Sequence, residues 1–302
     1  MAKATIDLTG LETVLKETDP NIGVGPRGLR PNFLHVLYNG NFTHPEAKNA
    51  RDNLELIGTK YLTGGFSPWF RRILGGGLLT PLNKVSPDAG TTPDQRPVRS
   101  EDSDTSAYCR ALAREMAGPV KDAVIPQQLG IQIPDGIGTL IHGLRMEVEG
   151  AIARQEPLVF VTLDIKNAHN DFPRDVAMRK AIAAAQSDPR LIPLAVAMSS
   201  TLMNNPLFMR SNSSTSGYDH ICDSRKGSGQ GNALTGQEYV ITQNDSLKEI
   251  ESEFSVIVKA IHDDITLYSA PPVMFGTADD GDGGLESLIG KLEKDCGLTI
   301  NR

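Results

Sequence analysis

At 302 residues, with 39% hydrophobic and 22% charged side chains, the chain can bury a large core or two joined domains, and a disorder-dominated protein is excluded. No apolar run reaches about 18 residues and no basic-then-apolar leader is present, so neither a membrane span nor a signal peptide is supported, and an intracellular protein is expected. The net charge of −7 divides unevenly: residues 1–150 hold 16 basic and 17 acidic side chains, net −1, and residues 151–302 hold 14 and 20, net −6. Phosphate binding wants Lys and Arg, so the acidity has to be local, and an acidic half suits a cation site. Cys109, Cys222 and Cys296 are odd in number and far apart, which gives no disulfide framework and no paired zinc motif. They are expected as buried thiols, and His220 with Cys222 lacks the second pair that a metal site needs.

In chain order, residues 1–24 are weakly patterned and are expected to be loosely ordered. A helix is predicted from Pro45 through the EAKNARDNLELIGTKYL stretch, with Thr43 as its cap and Gly64-Gly65 as its stop. Phe66, Trp69 and Phe70 read as core or interface aromatics. GGGLLTPLNKV and QRPVR, separated by a polar Pro/Gly/Asp loop, predict a hairpin carrying Lys84 on one strand and Arg96 and Arg99 on the other. Cations so placed suit a triphosphate, and equally suit a solvated basic hairpin. DTSAYCRALAREMAGPV predicts a helix capped by Asp104 or Thr105, IPQQLGIQIPDGIG a loop, and Thr139 to Ala153 a further helix.

VTLDIKNAHNDFPR then predicts a strand delivering Asp164 to its end. Helices are expected over DVAMRKAIAAAQ and from Pro189 to Met203, followed by a hairpin over LFMRSNSSTSGYDHICDSRKG. GSGQGNALTGQEYVITQ reads as a glycine-rich loop feeding a long helix, whose N-terminus can receive a nucleotide. VIVKAI delivers Asp263 and Asp264 into a turn before TLYS resumes a strand. Two strands offering carboxylates at their ends can hold hard divalent cations. LESLIGKLEKDCG predicts a last helix and LTIN the start of a strand. The fold class expected is α+β: an antiparallel sheet backed by helices, with a second lobe over residues 1 to about 150.

Three of these stretches, LDIKNAHNDFPR, GSGQGNAL and AIHDDITLY, resemble in order and spacing motifs A, B and C of reverse transcriptases, above all those of non-LTR retrotransposons. LTPLNK with QRPVR resembles the family's two fingers strands, PQQLGIQIPDG its fingers-to-palm connection, GPRGL an upstream fingers motif and CGLTIN the start of motif D. The likeness spans roughly residues 25–302. It implies a right-hand polymerase palm over 151–302, ending within motif D, and fingers over 25–150, with thumb and endonuclease region absent from this chain. By that resemblance Asp164, Asp263 and Asp264 are the catalytic and metal-holding carboxylates for two Mg2+ ions, with Mn2+ as an alternative. Lys84, Arg96 and Arg99 would neutralise the triphosphate, Gln230 and Gly231 would line the pocket for the incoming nucleotide and template base, and His169 stands where the family generally has Phe or Tyr against the sugar. The expected activity is RNA-directed DNA polymerase, a nucleotidyltransferase acting on dNTPs with an RNA template and DNA primer. The alternatives are an RNA-dependent RNA polymerase, or an inactive remnant that binds RNA or protein without turnover.

Overall fold

The computed structural model describes residues 6–21, 25–39, 45–83, 95–212, 214–215, 217–275 and 284–301. In chain order these form α1 (Leu11–Glu17), α2 (Pro31–Asn39), α3 (Pro45–Leu62), α4 (Pro68–Leu74), β1 (Gly77–Asn83), β2 (Gln95–Ser100), α5 (Ser103–Glu115), α6 (Ala117–Val124) and α7 (Gly136–Arg154). β3 (Val159–Asp164) leads through a single turn, α8 (Ala168–Asp171), into α9 (Arg174–Ser187), a 3-10 turn at Pro189–Leu191 and α10 (Ile192–Thr201). β4 (Leu207–Asn212), β5 (Gly217–Asp223), α11 (Thr235–Phe254), β6 (Ile257–Ile261), β7 (Asp264–Ser269), α12 (Pro271–Phe275) and α13 (Gly284–Cys296) complete the chain. The class is mixed α+β, with sheets that are mostly antiparallel.

Two compact units interleave along the sequence: Met1–Met116 with Ile192–Thr235, and Ala117–Leu191 with Gly236–Arg302. The boundary expected near residue 150 differs from this division in two places. α6 and α7 belong with β3, and α10 with the β4–β5 hairpin belongs with the N-terminal segment.

In the first unit the sheet order is β2-β1-β4-β5, antiparallel except for a short parallel contact of β1 with β4. Helices α1, α3, α5 and α10 bury Leu11, Leu62, Leu112 and Leu194. Of the N-terminal segment expected to be loose, Ile6 to Leu15 is docked instead, with Ile6, Leu8 and α1 contributing buried side chains. Leu11, Val14 and Leu15 fall at i, i+3 and i+4, one face of α1, and all three are buried. Gly58 of α3 sits under the Tyr108 ring, where an added Cβ would lie 2.4 Å from Cδ1, so only glycine admits that ring. At the start of α5 Asp102 is the cap, two residues ahead of Asp104. Asp102 pairs with Arg27 Nε at 2.9 Å, while Asp104 takes Arg27 Nη2 at 2.5 Å, fastening the GPRGL stretch. Trp69 and Phe70 are exposed, Phe70 packing edge-on against Phe66, so of the two expected places, core or interface, these two rings do not occupy the core.

In the second unit the order is β3-β7-β6, both pairs antiparallel. β7 is central, and Ile265, Thr266, Leu267 and Tyr268 are all buried, so both of its faces are covered. Phe172, Leu247, Ile250, Val258 and Leu292 fill the core. Truncating a fully buried Phe172 to Ala would cost about 3–5 kcal/mol in lost burial and cavity formation. Cys109 and Cys296 are buried as expected; Cys222 is exposed, because β5 is an edge strand on which consecutive residues His220, Ile221 and Cys222 all face solvent. Among the described residues no helix is long and apolar enough to cross a membrane.

Candidate functional site

The residues singled out by sequence fall into two groups, one in each unit. In the second unit, β3 and β7 run antiparallel with Asp164 directly opposite Asp264, and Ile261 opposite Asp264 closes a two-residue turn of His262 and Asp263. Such tight turns demand left-handed backbone, and His262 adopts it at φ +55°. Like charges facing each other across a ladder destabilise a sheet. The effect is visible in Asp264, which is exposed yet has its carboxyl raised above the usual value, first by partial desolvation, then by the carboxylates of Asp263 and Asp164. Asp164 is held from the C-terminal side: Asn301 donates its backbone N–H to the Asp164 carbonyl at 2.9 Å and its Nδ2 to Oδ2 at 2.5 Å. An isolated antiparallel bridge of Ile165 with Ile300, with the Lys166 N–H donating to the Thr299 carbonyl at 2.9 Å, completes that fastening; among the described residues this is the pairing that the LTIN stretch makes.

His169 stands next to this group. Its ring meets Tyr239 edge-on at 4.8 Å and lies 6.1 Å from the ring of His262. Desolvation holds its imidazole below the ordinary value; Asp263 opposes that shift and His262 reinforces it. The Nδ1 atoms of His169 and His262 are both buried without a hydrogen-bond partner among the described residues.

The turn is held from behind by Gln128, which lies in the stretch that the sequence predicts as a loop. This side chain is fully buried: Oε1 accepts from the His262 N–H at 2.7 Å and the Gly130 N–H at 3.1 Å, while Nε2 donates to the His262 carbonyl at 3.1 Å and to Gln243 Oε1 at 3.1 Å. Backbone bonds from Leu129 to Ala260 and from Ala260 to Gln127, each 2.7 Å, stitch the same loop to β6. The available signal was local: adjacent glutamines in a Gly/Pro-interrupted loop, polar groups that must find partners if buried.

In the first unit, Gln230 extends the β1–β2 sheet. The Arg99 N–H donates to the Gln230 carbonyl at 2.7 Å, beside a parallel bridge of Val98 with Gln230. Gly231 has φ +119°, and a Cβ there would lie 2.1 Å from the Arg99 carbonyl oxygen, so the close approach that requires glycine is to the chain's own backbone. Arg99 differs from its expected place on a solvent-facing hairpin. It is buried, its Nη1 donates to the Gly75 carbonyl at 3.2 Å, and its Nη2 pairs with buried Glu101. Asn232 donates Nδ2 to the same Glu101 at 2.9 Å and accepts from the Leu234 N–H at 2.7 Å. An Asp in that position would have no donor to offer Glu101. Arg96 is exposed on β2 opposite Leu82, and Lys84 lies outside the described residues.

Magnesium binds oxygen ligands and commonly takes one or two carboxylates, completing its shell with waters and substrate phosphates. The mutually repelling carboxylates of Asp164, Asp263 and Asp264 are chemically suited to that role. Among the described residues no three His, Cys, Asp or Glu side chains converge on one point, so these carboxylates supply at most a partial shell. No protein-family model matches the chain, and comparison with curated proteins finds no match.

Proposed function

We propose that this chain is the fingers and palm region of an RNA-directed DNA polymerase of retrotransposon type, transferring a nucleotide from a dNTP to the 3′-hydroxyl of a DNA primer on an RNA template. The observation that carries the reading is the pairing of Asp164 with Asp264 across neighbouring strands, beside Asp263 in the turn. Asp164, Asp263 and Asp264 would hold two Mg2+ ions, or Mn2+ in their place, which when bound lower the cost of activating the hydroxyl and of charge on the leaving phosphates. Gln128 and Asn301 act by holding the carboxylate-bearing backbone, which keeps those groups oriented before substrate arrives.

His169 is assigned to the sugar. Its half-buried, neutral ring beside Asp263 offers either a steric edge or a hydrogen bond to a ribose 2′-hydroxyl. In the other unit, Arg96 and Lys84 are assigned to the triphosphate, and Gln230 and Gly231 to the base pair. The buried Arg99–Glu101–Asn232 group positions their loop.

Primer extension on RNA with dNTPs or rNTPs tests the reading. Template-directed dNTP incorporation supports it; preferential rNTP incorporation would assign the chain to RNA-dependent RNA polymerases. No incorporation of either by the folded protein, with no divalent-metal stabilisation lost in Asp164→Asn, would leave a binding remnant.

A further inference from the structure

The second unit also contains a cleft of about 320 Å3, whose lining does not include Asp164, Asp263 or Asp264. That volume is at the small end for ligand-binding clefts. Its walls are the ends of α6 and α9 and one face of α11, and its apolar lining is buried Leu191 and Ile241 with half-buried Ala184 and exposed Ala183.

Its polar groups are unequally satisfied. Asn244 is only 5% exposed; its Nδ2 donates to the Ala123 carbonyl at 2.8 Å, but its Oδ1 is buried with no partner among the described residues. A buried acceptor left unpaired costs roughly 1–3 kcal/mol. Asp245 is half-buried, and its carboxylate has no hydrogen bond or ion pair among the described residues. The cations present are directed elsewhere. Arg190 binds Asp188 at 2.7 Å and Asp122 at 3.1 Å, and Lys248 Nζ donates to the Ala123 carbonyl at 2.9 Å. Three Asp against Arg190 and Lys248 leave one negative charge in excess, and the carbonyl ends of α6 and α9 add to it.

An unpaired amide oxygen, a carboxylate without a partner and an apolar lining together call for a donor on an aliphatic chain. We propose that this cleft binds a small aliphatic ammonium compound, its charged nitrogen donating to Asn244 Oδ1 and the Asp245 carboxylate and its methylenes lying on Ala183, Ala184 and Ile241. Three hydrogens on a primary ammonium match the two acceptors and leave one for solvent.

Calorimetric titration of the full chain with putrescine at low ionic strength tests this, with 1-butanol as the uncharged control. Saturable one-to-one binding is expected, weakened about ten-fold or more by Asp245→Asn. Lys248→Met should tighten it several-fold by removing a like charge, an effect that a purely structural role for these residues would not produce. Both substitutions lie on exposed or half-buried positions, and unchanged melting temperatures establish that the variants are folded. Absence of saturable binding, equal binding of butanol, equal competition by sodium ions, or affinity unmoved by both substitutions would overturn the proposal.

Discussion

Gln128 grips both the N–H and the carbonyl of His262, residues 134 positions apart, and thereby holds the turn that presents Asp263. Replacing Gln128 by Ala leaves the His262 and Gly130 amides and the Gln243 oxygen without that partner in a buried site. With a net loss of about 1–3 kcal/mol for each such group and partial rescue by water, Gln128→Ala should cost about 2–4 kcal/mol. Urea unfolding followed by circular dichroism measures it; a change under about 0.5 kcal/mol, the range of ordinary surface substitutions, would show that the grip is not needed.

Gly231 and Gly143 make an opposed pair. An Ala at 231 must place its Cβ 2.1 Å from the Arg99 carbonyl at φ +119°, while Gly143, in the exposed middle of α7, has nothing within 4 Å of its added Cβ. Overpacking with an unfavourable backbone should make Gly231→Ala lose about 3 kcal/mol or more. Gly143→Ala should gain about 0.5–1 kcal/mol through helix propensity. Thermal melts of the two variants check the opposite signs.

The crowding of Asp264 has a defined pH signature. Its carboxyl is raised in the folded protein, so the native state binds that proton more tightly than the unfolded chain does. The associated destabilisation is absent below the ordinary carboxylate range near pH 4, grows as pH rises through the raised folded value, and is complete above it. In metal-free buffer, Asp264→Asn should therefore raise the melting temperature at pH 7 and leave it unchanged at pH 3. A lower melting temperature at pH 7 would contradict mutual repulsion of the three carboxylates.

Thiol labelling separates the cysteines. Burial pushes the Cys296 thiol up to about 11, and Cys109 is equally enclosed, whereas Cys222 is exposed. Native protein treated with iodoacetamide at pH 8 should gain one adduct, on Cys222, and three after denaturation. Peptide mass mapping reads both, and native labelling of Cys296 would contradict the packing of α13.

The strands, the hairpins and the long helices were legible because their signals are local: VFVTLD and DITLYS are apolar runs of strand length, and α11 keeps a helical period through its whole extent. That Asp164 meets the Asp263–Asp264 turn was legible too, since one run ends and the other begins at a carboxylate; the sequence points to Asp263 as its partner, whereas the strand register sets Asp264 opposite it. What escaped depends on partners distant in sequence. Arg99 looks like a surface cation until Glu101, itself held by Asn232, neutralises it in the interior. Gln128 looks like loop filler until β6 lies against it. Trp69 and Phe70 suit core or interface by type, and the choice between them is not local: the buried position of short α4 is taken by Leu74. The interleaving of the two units is likewise invisible locally, because no composition change marks residues 116, 191 or 235.

The central claim is that Asp164, Asp263 and Asp264 serve template-directed nucleotidyl transfer, and single-nucleotide extension of a DNA primer on RNA with dNTP and Mg2+ tests it most directly. Wild-type chain should add the complementary nucleotide, and Asp263→Asn, folded to the same melting temperature or higher, should be slower by about 1,000-fold, the rate equivalent of roughly 4 kcal/mol of lost metal-assisted stabilisation. Incorporation that survives Asp263→Asn at the wild-type rate, or none at all from folded wild-type chain, would contradict the account.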